Sequence, residues 1–330
     1  MKPQKLFVCI LAVLITGPLV GKVARAVTIE IVQTIDFPGE GNATLPQKVS
    51  DQGDVVGTVI YPTGVGQGFF FRLRDSKFSD VFYEPNDTGH FTHGRGINNK
   101  RHACGEYLKE DGTFHGYLLQ HPTFNEVDIR NSLQTIPLGI NNVGDYVGSV
   151  VLNDGTQPAF IRLDKTVTTF AVPDAIATFA YQLNTSNQIV GYYVDAGGVA
   201  HGYMRDSLGN LTYPIDVAGA TGTLLLGNND MNWVVGRYTD VSGVTHGLFF
   251  VTPDTMITFD YPDASFTSLN GINKNGFIVG SYLDASGFFH GFQARVKFRG
   301  TGNPGPFTPV TPVQPANPWI ERWRNTAPAF

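Results

Sequence analysis

Four histidines recur at one spacing along this chain. His115, His201, His246 and His290 each stand directly before a glycine and three residues after another (Gly112, Gly198, Gly243 and Gly287). Imidazole can bind a metal ion or an acidic ligand, and it can equally bond a neighbouring turn. Set around an axis, the four would stand at equal radius as a ring near a channel. The competing reading is a structural bond made once per repeat, and repetition favours it, because one site rarely needs four copies.

A second set varies where the first is constant. Thr58, Glu106, Ser149, Tyr192, Arg237 and Ser281 each follow an equivalent glycine. Glu106, Tyr192 and Arg237 are an acid, a phenol and a base at matching positions. Grouped at one mouth of a ring, they would make a polar ligand site; otherwise the positions face water and vary freely. His90, His93, His102 and Cys104 form the densest cluster of metal-type side chains. Cys104, however, fills the slot held elsewhere by Val56, Val147, Val190, Val235 and Val279, the place of a small core residue. His90 and His93 read as loop residues, so no zinc site is assigned. Asp195, Asp240 and Asp284 each open an Asp-x-x-Gly turn, and one or two oxygens per turn do not make a calcium loop. Neither a metal nor a cofactor is expected. There is no Gly-x-Ser-x-Gly elbow, no His-Glu-x-x-His and no phosphate loop leading into a helix. Paired carboxylates from different repeats would escape a spacing search; Glu84, Glu106, Asp128 and Asp260 are the acids to examine.

The elements that must position these residues form a repeat. Gly57, Gly105, Gly148, Gly191, Gly236 and Gly280 anchor six copies, and seven residues after each comes Gly64, Gly112, Gly155, Gly198, Gly243 or Gly287. Seven residues before the anchors stand Ser50, Asn98, Asn141, Asn184, Asn229 and Asn273; three residues further on stand Gly53, Arg101, Gly144, Asn187, Asn232 and Gly276. Gly and Asn tolerate positive φ, so these columns predict a tight turn in each copy. The Asp-x-x-Gly columns predict a second turn closed by a glycine bulge. Each copy therefore offers four short strands in about 44 residues, the size of a propeller blade. The chain enters on a strand of the fourth type, near residues 29–37, and its last repeat ends on the third type, near 290–298. That phase predicts an all-β, six-bladed β-propeller closed by its N-terminal strand, which leaves no long free edge.

The Gly-Ile-Asn-x-x-Gly, Ile/Val-Val-Gly, Asp-x-x-Gly and His-Gly-Phe runs together resemble the bacterial extracellular repeats of the HAF family. The resemblance covers nearly all of the chain between the first 26 residues and the tail. It implies an exported, propeller-like protein, and it carries no defined activity. The first copy (Gln67-Gly68) and the third (Pro158-Ala159) lack its His-Gly dipeptide.

Composition agrees. Glycine at 38 of 330 residues exceeds the average of about 7%, and charged residues are sparse at 15%, which excludes a long coiled coil or a charged disordered chain. Lys2 and Lys5 precede an apolar run and the triplet Ala24-Arg25-Ala26, the order of a secretory signal over residues 1–26. Its removal takes four basic residues and no acid, so the formal charge of −5 becomes −9. An acidic domain argues against nucleic acid or an anionic membrane surface as partner. No membrane span is expected after cleavage, and Cys104 would then have no partner for a disulfide. The domain is expected over residues 27–298. Residues 299–330 carry proline every third position from Pro306 to Pro318, which predicts a polyproline II spacer or adhesive strip. The function expected is a secreted or periplasmic, non-catalytic binding or scaffold propeller for a glycan, other polymer or protein. A carbohydrate-active hydrolase or lyase, with carboxylates converging at the channel mouth, is the alternative.

Overall fold

The computed structural model describes residues 26–299 apart from 252–255; the expected signal segment up to residue 25 and the Pro-rich residues 300–330 lie outside the described residues. These residues form strands joined by turns, with no helix among them. Hence none is long and apolar enough to cross a membrane as a helix. After β1 (Ala26–Ile35), the first repeat supplies β2 (Ala43–Val49), β3 (Asp54–Ile60), β4 (Gly66–Arg72) and β5 (Lys77–Phe82). The second supplies β6 (Gly96–Ile97), β7 (Ala103–Leu108), β8 (Phe114–Gln120) and β9 (Thr123–Val127). The third supplies β10 (Ser132–Ile140), β11 (Tyr146–Leu152), β12 (Ala159–Leu163) and β13 (Thr166–Phe170). The fourth supplies β14 (Ala177–Leu183), β15 (Ile189–Val194), β16 (Ala200–Arg205) and β17 (Leu211–Ile215). The last two supply β18 (Gly222–Asn228), β19 (Val234–Thr239), β20 (Thr245–Phe250), β21 (Ile257–Phe259), β22 (Phe266–Ile272), β23 (Phe277–Leu283) and β24 (Phe289–Arg299).

Each of the first four repeats is one antiparallel four-stranded sheet, and β18–β24 with β1 form an eight-stranded sheet. The expected N-terminal strand is present: β1 pairs antiparallel with β24, from Ala26 opposite Arg299 to Ile35 opposite Gly291. The architecture is an all-β propeller. The first strands, β2, β6, β10, β14, β18 and β22, touch in succession, and β22 meets β2 again. They are the inner strands. The apolar core lies between successive sheets: Val56, Phe70 and Phe82 of the first repeat pack with Ala103, Tyr107, Tyr117 and Leu119 of the second. Such large side chains each contribute about 1.5–3 kcal/mol on burial.

Both turn columns appear as expected. Gly53, Arg101, Gly144, Asn187, Asn232 and Gly276 all have positive φ, as do all six glycines of the Asp-x-x-Gly column. The anchor glycines serve a close approach. At each, a Cβ would meet the carbonyl oxygen of an inner-strand residue, Phe179 at Gly191 and His93 at Gly105. Opposite each lies a fully buried large side chain of the third strand, Phe69, Tyr117, Phe160, Tyr203, Leu248 or Phe292. Five inner strands also carry a β-bulge at one place, such as between Ala180 and Gln182 in β14. The bulge re-aims the residues beside it, and it is there that the repeats stop resembling one another.

Candidate functional site

The asparagine column builds one mouth of the channel. Asn141 Oδ1 accepts the backbone N–H groups of Val143, Gly144 and Asp145, capping its own turn. Its Nδ2 donates to Asn184 O in the next repeat at 3.3 Å. The same link runs from Asn98 to Asn141, Asn184 to Asn229, Asn229 to Asn273 and Asn273 to Ser50. Only Ser50, with its shorter side chain, does not pass it on; there Asp51 N–H donates to Asn99 Oδ1 instead. A cavity of about 50 Å³ lies where these turns converge, with Asp51, Asn99, Asn142, Thr185 and Asp230 on its wall. Asp51 and Asp230 are already engaged, by Lys274 N–H and Asn99 Nδ2 and by Thr185 respectively.

The variable column turns inward at the other end of the inner strands. Freely varying residues in water were the competing expectation, and the structure corrects it: Thr58, Glu106, Ser149 and Ser281 are buried, while Tyr192 and Arg237 are half-buried. The cause is register, since each faces the inner-strand residues five and three places before the asparagine. In the second repeat these are His93 and Arg95. Glu106, 2% exposed, takes Arg95 Nε at 2.9 Å and Nη2 at 2.5 Å, and His93 Nδ1 lies 2.5 Å from Oε1. Burial would raise the Glu106 carboxyl, but Arg95 and His93 outweigh it and hold it down to about 2. Burial and the Arg95 charge keep the His93 imidazole below its usual value.

In the fourth repeat the partners are aromatic. Tyr192 stacks on Phe179 with centroids 4.6 Å apart, and Tyr181 lies 5.7 Å away. Burial pushes the Tyr192 phenol well up, against the pull of Arg237 and Arg95. In the fifth, Arg237 lies over the Phe266 ring at 5.3 Å and has no carboxylate partner among the described residues. Glu106, Tyr192 and Arg237 thus occupy one layer around the channel.

Two further residues fill the channel, and sequence reasoning missed both. Two places before the asparagine, four repeats have glycine (Gly96, Gly139, Gly227, Gly271), while the others have Lys48 and Gln182. Lys48, 4% exposed, crosses the channel to donate to Leu226 O at 2.8 Å and Asn270 O at 2.9 Å. Burial pushes its ammonium down to about 7; Cys104 pulls upward and Arg95 adds to the fall. Arg95 was missed with it; Lys48 breaks a column that is mostly glycine, whereas Arg95 stands in one with no prevailing residue. His93 was read as a loop residue; its N–H bonds Glu106 O, so the inner strand of this repeat extends back beyond β6.

The four repeated histidines stand elsewhere, on the third strands. His246 Nδ1 lies 2.7 Å from Asp260 and Nε2 3.3 Å from Asp240, and the ring stacks on Tyr238. His201 joins Asp216 and Asp195, and His290 joins Asp36 and Asp284. Each ties its turn aspartate to the aspartate ending the fourth strand. In these three, burial lowers the imidazole, but hydrogen bonds and charge from the two aspartates leave it raised. His115 bonds Asp128 and Thr113. No channel ring of imidazoles forms. His90, His93, His102 and Cys104 do not gather either: Cys104 is a buried core thiol, pushed by burial up to about 12.

No family model matches the chain, and no curated protein matches it. Among solved structures, TolB from Acinetobacter baumannii is similar at a TM-score of 0.51 and 11% identity, over 79% of this chain and 67% of that one. A Burkholderia pseudomallei lectin has a TM-score of 0.46 and 12% identity, over 84% and 87%. The six-bladed propeller lectin of Aleuria aurantia has a TM-score of 0.43 and 10% identity, over 78% and 97%. At such identities the likeness to TolB shows the propeller fold alone.

Proposed function

We propose that this chain is an exported six-bladed propeller, similar to the HAF repeat proteins, that binds a polymer or protein ligand outside the cytoplasm rather than catalysing a reaction. Six blades are supported by the way the eight-stranded sheet is joined. Its two halves meet between β20 and β22 at one parallel pair, Thr245 with Phe266. Dividing it there leaves β18–β21 and β22–β24 with β1, each of four strands. Export rests on the basic, apolar and small-residue order of residues 1–26.

The observation that carries binding over catalysis is the state of Glu106. It is the one acid in its column and is committed to Arg95 and His93, so it has no proton to give near neutral pH. A glycosidase needs a protonated acid and a second carboxylate converging on one bond, and Glu84, whose carboxyl burial raises, follows the outermost strand β5 and accepts Asn86 N–H there rather than at the channel. Asp51 and Asp230 at the other mouth are instead occupied by backbone donors and Thr185. Tyr192, Phe179 and Arg237 offer aromatic faces and a guanidinium free of carboxylates, which suits sugar rings bearing acidic groups. A glycan array and a pull-down with the mature protein test the reading. Selective retention of an acidic glycan or an extracellular protein is expected; background signal in both assays would contradict it.

A further inference from the structure

The channel is closed partway along its length. Each inner strand runs toward its asparagine turn, so residues five, three and two places before the asparagine lie at increasing depth from the opposite mouth. Five places before it, Leu45, Ile136, Phe179 and Leu224 are half-buried. Inner-strand side chains of a closed ring meet solvent through the channel, so an open, largely apolar collar stands at this level. Deeper, the opening ends. Lys48 reaches from the first repeat to Leu226 O in the fifth and Asn270 O in the sixth, with Nζ 5.5 Å from the Tyr181 ring centroid in the fourth. A group within reach of three other repeats stands near the axis, and at 4% exposure it fills the channel there. Gln182 shares that level, donating Nε2 to Leu183 O. The cavity of about 50 Å³ at the asparagine mouth has Gln182 on its wall and no residue nearer the other mouth. Lys48 and Gln182 therefore separate the two mouths, and the side away from the asparagines is a blind pit.

The pit is lined by donors without acceptors. Arg237, Tyr181 and Tyr192 are half-buried, and the guanidinium and both hydroxyls make no hydrogen bond to the described residues. Lys48 gives two of its three N–H groups to backbone carbonyls, which bring no countercharge. Glu106, the carboxylate of this layer, is committed to Arg95 and His93. Arg95 and Arg237 both act on the Tyr192 phenol, and Arg95 acts on Lys48, so these charges lie within one another's field. Lys48, Arg95 and Arg237 against Glu106 alone leave a positive excess in the pit of a chain whose formal charge is −5. Such an excess is costly to hold away from water unless an anion shares the space.

Granted the acidic glycan proposed above, we infer that it is held by its end: a terminal sugar carrying a carboxylate or sulfate enters the pit acid first, between the collar and Lys48. Arg237, Tyr181 and Tyr192 donate to the oxyanion, and Lys48 closes the floor with its third N–H. The collar packs against the sugar ring. An acid inside a chain does not reach these donors, because the chain has no exit past Lys48 and would have to turn back through the collar.

Calorimetric titration with four trisaccharides of otherwise identical sugars tests this. They carry glucuronate at the non-reducing end, a sulfated hexose at that end, glucuronate in the middle, or no acid. One or both acid-ended probes are expected to bind at least about tenfold more tightly than the other two, and the tighter of them identifies the oxyanion. K48M and R237M should each remove at least about tenfold of that affinity. Thermal melts show that each variant is folded; R237M, which loses no hydrogen bond within the described residues, carries the test if K48M does not fold. Equal affinity for terminal and internal glucuronate would overturn end recognition while leaving acidic-glycan binding intact. Acid-ended binding unchanged in R237M would overturn it as well. So would silence of all four probes, and a protein retained in the pull-down would then leave the binding function standing without it.

Discussion

Glu106 and Arg95 illustrate how a buried charge is tolerated. Each would be costly alone, and together with His93 they satisfy one another through several short contacts. Removing one partner strands the other, so E106Q is expected to destabilise by about 3–5 kcal/mol, and E106L/R95M to recover most of that loss in urea titrations. Equal losses in the single and double variants would contradict the coupling. Lys48 makes a second prediction at this scale. Its folded value of about 7 lies below the ordinary 10.5, so above about 7 the native state releases a proton that the unfolded chain retains. Its contribution to stability therefore rises with pH through that window. The stability difference between wild type and K48M should shift in favour of wild type from pH 7 to 10; a flat difference would show that the amine is not buried as described. Cys104 was legible because it replaces valine in an otherwise uniform column. Lys48 and Arg95 were not: Lys48 stands in a column otherwise of glycine and Gln182, and Arg95 in a column with no prevailing residue, so neither position showed which way its side chain would turn.

At the scale of the element, the turn asparagine does two jobs with one amide, capping its own turn and clamping the next repeat. N229A removes the bonds to Met231 N–H and Trp233 N–H and the link to Asn273 O, and should cost about 2 kcal/mol in chemical denaturation. N229S should retain part of the cap, as Ser50 does for Asp54 N–H at 3.1 Å, and so cost less. The histidine clamps act at the opposite end of the strands. Because the native values of His201, His246 and His290 are raised, the stability they confer is complete below the unfolded value, about 6.5, and is lost as pH rises through the folded values. H246Q should therefore lose more Tm relative to wild type at pH 6 than at pH 8.5. A constant loss would show that the imidazole carries no linked proton. Both turns were legible from sequence, since Gly and Asn recur where positive φ is needed, Arg101 being the one exception of another type. The destination of the asparagine Nδ2 was not, because it lies in a neighbouring repeat.

For the whole molecule, a division of labour follows from the repeats. Residues shared by every or nearly every copy hold the propeller, namely the anchor glycines beneath buried third-strand side chains and the asparagine circuit that only Ser50 interrupts, together with the single pairing of β1 with β24. Residues that differ between copies gather where the inner strands face the channel: Arg95 holds Glu106 and acts on Lys48 and Tyr192, and Arg237 acts on Tyr192. The phase of the repeat made the strand plan readable, because the chain starts and ends on strand types that complete each other. The direction in which the variable column faces was hidden, since a period of two allows either face until the register is known. The most direct test is glycan-array binding by three proteins in parallel: wild type, R237A/Y192A and H201Q. The channel double variant is expected to lose the wild-type signal by at least about tenfold, one to two hot-spot contacts' worth, while still folded at the assay temperature, and H201Q to lower Tm and keep the signal. Binding that persists in R237A/Y192A and disappears in H201Q would contradict the account.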